Sequence, residues 1–186
     1  MTQHHAIQRG TFHVTTNTRE GIPWCTLPEI PQLLMDNLVM TKNIQCAQVF
    51  AFCVLPNHIH ILLEPGERGL SAFMHSFKRN SSWHIRQIYS SIADNIKIIP
   101  VAGVHEPQLR DVVLKKSWAP VANTGDIRWQ NGFHDERIRD TEQLSNALSY
   151  VQYNAWHHHL TEEPEGWPWS SLWYEQFLDP MEIWLD

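Results

Sequence analysis

The sequence is short of several things, and each shortage excludes something. Its 186 residues contain three cysteines, Cys25, Cys46 and Cys53, with no CxxC pair. That rules out a disulfide scaffold and the common zinc-finger spacings, and it suits a reducing compartment. No apolar run approaches the ~20 residues of a membrane span, and the first residues lack a charged-then-apolar leader. The expectation is a soluble cytoplasmic protein with no membrane partner. Basic residues are absent from 140–186, which hold nine Asp and Glu, whereas residues 1–139 carry all 14 Lys and Arg against 11 Asp and Glu. The formal charge of −6 therefore hides a mildly basic body followed by an acidic tail. A basic body is compatible with a nucleic-acid partner without requiring one. Histidine and tryptophan, by contrast, are plentiful, at twelve and nine residues.

The length is that of one domain, large enough to bury a core without staples. Residues 10–18 are rich in Thr, Val and Phe after a Gly and read as a strand. Pro28 and Pro31 open a helical pattern of Ile30, Leu33, Leu34 and Leu38 that runs to about Met40. Residues 45–55 and 58–63 are apolar, β-rich runs separated by Pro56-Asn57, which predicts a hairpin. Leu70, Phe73, Met74 and Phe77 begin a helix within 69–89. Residues 95–125 show no sustained period, and 127–134 read as a strand with an Asn-Gly turn or bulge. A helix over 141–156 has Thr141 as its cap and Leu144, Leu148 and Val151 as its apolar stripe. The order predicts an α+β fold: a ferredoxin-like (RRM-like) split βαβ sheet with helices on one face, plus a C-terminal helix. The open sheet face would carry a site. Residues 161–186 read as an irregular, acidic, Trp-rich tail packed on the same domain.

Two pairs of residues stand out chemically. His58 and His60 flank Ile59, and on a strand residues two apart project from one face. Two neighbouring neutral imidazoles are half of a divalent-metal site; the ordinary alternative is a pair of surface histidines. Tyr150 and Asn154 are one helical turn apart on one face. A phenol titrates near ~10 in water and needs assistance to attack at neutral pH. An amide oxygen is a hard ligand suited to Mg²⁺ or Mn²⁺. The alternative is a tyrosine at the core edge and an asparagine at a fraying helix end. Tyr153 is a rival nucleophile on a different helical face. Lys78, Arg79 and Arg86, with Trp83, His75 and His84, form a basic and aromatic patch. It serves equally as a DNA-binding surface or as an ordinary solvated helix face. Lys115-Lys116 is a similar case, and His157 to His159 read as a solvent-exposed run.

These residues fall into a known pattern. Pro56-Asn57-His58-Ile59-His60-Ile61-Leu62-Leu63 resembles the His-hydrophobe-His strand of the single-tyrosine HUH transposases, above all the REP-associated tyrosine transposase branch. Tyr150-Val151-Gln152-Tyr153-Asn154-Ala155 is similar to that branch's Tyr-Ile-x-Tyr-Asn-Pro segment, departing from it at Ala155. Phe12-His13-Val14-Thr15, Trp129 to Asp135 and Trp167 to Ser171 are further matching blocks in the same order, so the resemblance spans residues 11–171. It implies a catalytic domain over residues 1–160. The implied activity is a metal-dependent endonuclease and strand transferase that cleaves and rejoins hairpin-containing single-stranded DNA, such as repetitive extragenic palindromes. By similarity Tyr150 is the nucleophile that forms a 5′-phosphotyrosine link. His58, His60 and Asn154 are the ligands of Mg²⁺ or Mn²⁺. The implied state is a monomer or a homodimer. The alternative is a DNA- or RNA-hairpin binder on the same fold that does not cut. A water-using metal hydrolase is a third reading, in which Tyr150 is dispensable.

Overall fold

A computed structural model describes residues 9–27, 29–95 and 127–181. The chain runs β1 (Phe12–Asn17), α1 (Ile30–Gln45), β2 (Gln48–Leu55), β3 (His58–Glu64), α2 (Gly69–Asn95), β4 (His134–Arg137), α3 (Thr141–Gln152) and the single turn α4 (Asn154–His157). The strands form one antiparallel sheet in the order β2-β3-β1-β4. That order, with α1 and α2 as the connections, is the split βαβ arrangement expected from the sequence.

Alternation along the strands decides what each face does. Phe12 and Val14 of β1, Phe52 and Val54 of β2, and Ile59, Ile61 and Leu63 of β3 are buried together with Leu34, Leu38, Phe73 and Phe77 from α1 and α2. Each such side chain contributes about 1.5–3 kcal/mol on burial. The second face carries Ala51, Cys53, Leu55 and Leu62, covered by Ala147 and Val151 of α3, Ala155 of α4 and Trp167. Helices therefore lie on both faces: α1 and α2 on one, and the C-terminal helix across β2 and β3 on the other.

Several boundaries differ from the sequence reading, each for a local reason. α1 continues past Met40 to Gln45, stopped by Cys46 in the left-handed conformation (φ 50°). α2 continues past residue 89 to Asn95. The last strand begins at His134, because Gly132 (φ 72°) turns the chain first; among the described residues just upstream, Trp129 forms a bridge with Thr18. The C-terminal helix is capped by Asp140, not Thr141: the Asp140 carboxylate accepts from the Gln143 N–H at 2.7 Å. It breaks at Tyr153 (φ −100°, ψ 14°) instead of running unbroken to 156. Residues 96–126, including Lys115-Lys116, lie outside the described residues. Gly66 is required by close approach, since a Cβ there would stand 1.9 Å from the Gln45 carbonyl oxygen.

The tail residues up to Met181 close the outer edge of β2. Val54 N–H donates to the Trp169 carbonyl at 3.0 Å, and the Trp167 indole donates to the Val54 carbonyl at 2.8 Å. Further along, Val49 N–H donates to the Asp179 carboxylate at 2.8 Å, and that carboxylate pairs with Lys42 at 2.9 Å. An edge strand's unpaired backbone groups are thereby satisfied.

Candidate active site

The site lies on the second sheet face, beside the C-terminal helix. His13 and Thr15 alternate with the core residues of β1, and His58 and His60 with those of β3, so all four point to this face. Register does the rest: Thr15 is paired with His60 and Asn17 with His58. The His58 and His60 rings stand 5.0 Å apart at 80°. His60 is almost fully buried, at 4% exposure.

Both imidazoles are engaged at Nδ1. The Nδ1 of His58 lies 2.8 Å from the Asn57 amide oxygen, an acceptor, so that nitrogen carries the proton. The Nδ1 of His60 lies 2.9 Å from His13 Nε2 and 3.0 Å from Thr15 Oγ1. Burial, assisted by the neighbouring His158, holds the His58 pKa down to about 4. Burial, then His58, His13 and His158, holds His60 down to about 2. Both rings are neutral at pH 7, the state that binds a metal.

Helix α3 brings Tyr150 to the same place. Its ring centre is 5.5 Å from that of His60 and 5.6 Å from that of His13, edge-on to both, and its side chain is 42% exposed. Four residues on, Asn154 is fully buried, and both atoms of its amide lack a hydrogen-bond partner. Four residues further, His158 sets its ring 5.5 Å from His58. Residues 150, 154 and 158 thus form one stripe despite the break at Tyr153, with the His158 N–H bonded to the Asn154 carbonyl at 3.0 Å. The outer members of the stripe meet His60 and His58, and Asn154 is its middle member.

That donor set fits a hard divalent cation. An unpartnered buried amide costs about 1–3 kcal/mol, which a ligand at its oxygen would offset. Among the described residues no three His, Cys, Asp or Glu side chains converge on an ion position. The two imidazoles therefore need an oxygen donor such as Asn154 to complete a protein ligand set.

Some site residues went unassigned in the sequence reading. His13 and Thr15 lie in a matching block, but their role needed the β1–β3 register. His157 to His159 are exposed as expected, yet His158 faces His58 and His157 stacks on Tyr150 with ring centres 5.9 Å apart. The α2 cations lie elsewhere, since α2 packs on the opposite sheet face. There, the Lys78 ammonium donates to the carbonyls of Gln130 and Gly132, and burial lowers its pKa to about 8. Arg86 Nε donates to the Ser82 carbonyl at 2.9 Å, and Arg79 is exposed.

Residues 24–98 match the family described as transposase IS200 like, a stretch that includes His58 and His60 but ends before Tyr150. A curated Haemophilus influenzae protein, described as a candidate REP-associated tyrosine transposase, is 27% identical over 125 residues. That match covers 67% of this chain and 58% of the relative, so the chain spans less than two thirds of the relative's length. Among solved structures, a REP-associated tyrosine transposase bound to a REP hairpin matches with a TM-score of 0.62 at 19% identity. The match covers 97% of this chain and 88% of that one. The chain is therefore similar to the IS200-like transposase family over residues 24–98 and has the fold of the REP-associated tyrosine transposases.

Proposed function

We propose that this protein is a metal-dependent transesterase that cleaves and rejoins hairpin-containing single-stranded DNA through a 5′-phosphotyrosine intermediate. The observation that carries the reading is the position of Tyr150: a partly exposed phenol edge-on to His60, four residues before Asn154, whose buried amide is unpartnered. A hairpin-binding protein that does not cut has no need of that combination.

His58, His60 and Asn154 would hold Mg²⁺ or Mn²⁺, which when bound supplies neutralising charge to the scissile phosphate. The chain's own residues do the remainder. Tyr150 Oη attacks the phosphorus and loses its proton to solvent. The new O–P bond forms as the bond from phosphorus to the 3′ oxygen breaks, and that oxygen leaves as a 3′-hydroxyl after taking up a proton. The link is an ester of the same type as the one broken, so a 3′-hydroxyl can reverse the step and rejoin strands. Stacking of His157 on the Tyr150 ring and edge contacts from His13 and His60 restrict the phenol's orientation, which lowers the entropy cost of attack.

The partner under this reading is a single-stranded DNA hairpin of the kind named for the solved relative. The test is incubation with hairpin-bearing single strands and Mn²⁺, followed by a denaturing gel. A covalent protein–DNA adduct is expected. A hydrolysed end with no protein link would overturn the reading in favour of a water-using hydrolase.

A further inference from the structure

The contacts of His60 reach one layer beyond the candidate ligand set. Its Nδ1 has two partners on the neighbouring strand, His13 Nε2 at 2.9 Å and Thr15 Oγ1 at 3.0 Å. His13 in turn has Glu136 as its register partner on β4, whose negative charge acts on that ring. Glu136 is held in place by the Gln143 side chain, which donates to its carboxylate at 2.8 Å. His13 also stacks on His60, with ring centres 5.1 Å apart, and meets the edge of Tyr150. One half-buried side chain therefore touches both a candidate metal ligand and the candidate nucleophile.

We infer that His13 and Thr15 are positioning residues that accept the Nδ1 proton of His60, so that its Nε2 lone pair faces the ion position while its ring keeps a set distance from Tyr150. The inference deepens the transesterase reading and rests on it. A ligating imidazole that binds through one nitrogen must place its proton on the other, and a fixed acceptor there sets both tautomer and ring plane. For His58 that acceptor is Asn57. For His60 the pair on β1 plays the same part. Without these partners His60 would keep its strand position but lose the preference for one tautomer and one ring angle.

Two measurements test this. Long-range proton–nitrogen NMR of the metal-free wild type should find His60 protonated at Nδ1. Titration with Mn²⁺, followed by electron paramagnetic resonance, should show affinity about 10- to 100-fold weaker in His13→Ala and weaker also in the near-isosteric Thr15→Val. Circular dichroism and metal-free hairpin binding should be unchanged. His13→Gln, which keeps an acceptor near the Nε2 position, should recover most of the affinity. Thr15→Val carries the test if His13→Ala disturbs the sheet. Wild-type His60 protonated at Nε2, or Mn²⁺ affinity within twofold of wild type in both His13→Ala and Thr15→Val, would overturn the positioning role alone. A wild type that binds no Mn²⁺ would instead overturn the metal-dependent reading beneath it.

Discussion

His60 and Tyr150 are opposites in their surroundings, and each predicts a different behaviour. His60 is buried and neutral, and so to a lesser degree is His58. In an unfolded chain both would titrate near the ordinary imidazole value of about 6.5. Above that pH neither state is protonated, so these groups add no pH dependence. As pH falls below it, the unfolded chain gains protons that the folded rings resist down to about 4 for His58 and about 2 for His60. Stability should therefore drop between pH 6.5 and 5, and the fall in Tm should be shallower in His58→Asn. An equal slope in that variant would refute the assignment. Tyr150, being partly exposed, can lose its hydroxyl without loss of packing. Tyr150→Phe should keep the fold and hairpin affinity within about twofold and abolish the covalent adduct, because removing the reacting atom leaves no ester to form. Tyr153→Phe should retain most of the adduct. It lies at the helix break, whereas the Tyr150 ring is the one that meets His13 and His60.

At the scale of elements, α3 depends on its first turn. Asp140 satisfies the Gln143 N–H, and the Gln143 side chain returns to accept from the Arg139 N–H at 2.9 Å. Together the two bonds tie down the start of the helix, one residue before the Thr141 cap that the sequence suggested. Asp140→Ala should destabilise the protein by about 1 kcal/mol in urea unfolding. Since α3 carries Tyr150, the adduct yield should fall at temperatures where wild type is unaffected. Thr141→Ala should cost far less; a larger loss there would return the cap to Thr141. The strands were legible because buried and half-exposed residues alternate in β1, β3 is a continuous apolar run, and the Pro56-Asn57 turn is short. The break at Tyr153 was not legible. Leu144, Leu148 and Val151 continue a helical period that Ala155 prolongs, so nothing in the spacing marks a stop.

For the whole molecule, charge is divided between body and tail, and the tail up to Met181 is tied to β2 through Val49, Val54 and Lys42. An acidic segment held there keeps its negative charge near the sheet that carries the site. Phosphate contacts by the body's Lys and Arg would release counterions on binding. Hairpin affinity should accordingly fall steeply between 50 and about 200 mM salt, measured by fluorescence anisotropy. A flat profile would exclude phosphate contact as the main source of affinity. Lys78 is a poor candidate for such contacts, because two carbonyls already occupy its ammonium; Lys78→Met should lower stability more than it lowers affinity.

What the sequence determined alone was everything that depends on periodicity and local chemistry. A two-residue period sets His58 and His60 on one face, a helical period sets Tyr150 beside Asn154, and Pro56-Asn57 turns β2 into β3. Those rules act between near neighbours, so they can be read from the chain. The tertiary structure alone decided the register between the strands and which side chains meet across them. The β1–β3 register brought His13 and Thr15 to His60, across 47 and 45 residues of sequence, and α3 laid Tyr150 over both. The same packing put Lys78 and Arg86 on the far side of the sheet from the histidines. Contacts at such separations follow from burying two sheet faces at once, and no local pattern encodes which polar side chains that burial brings together.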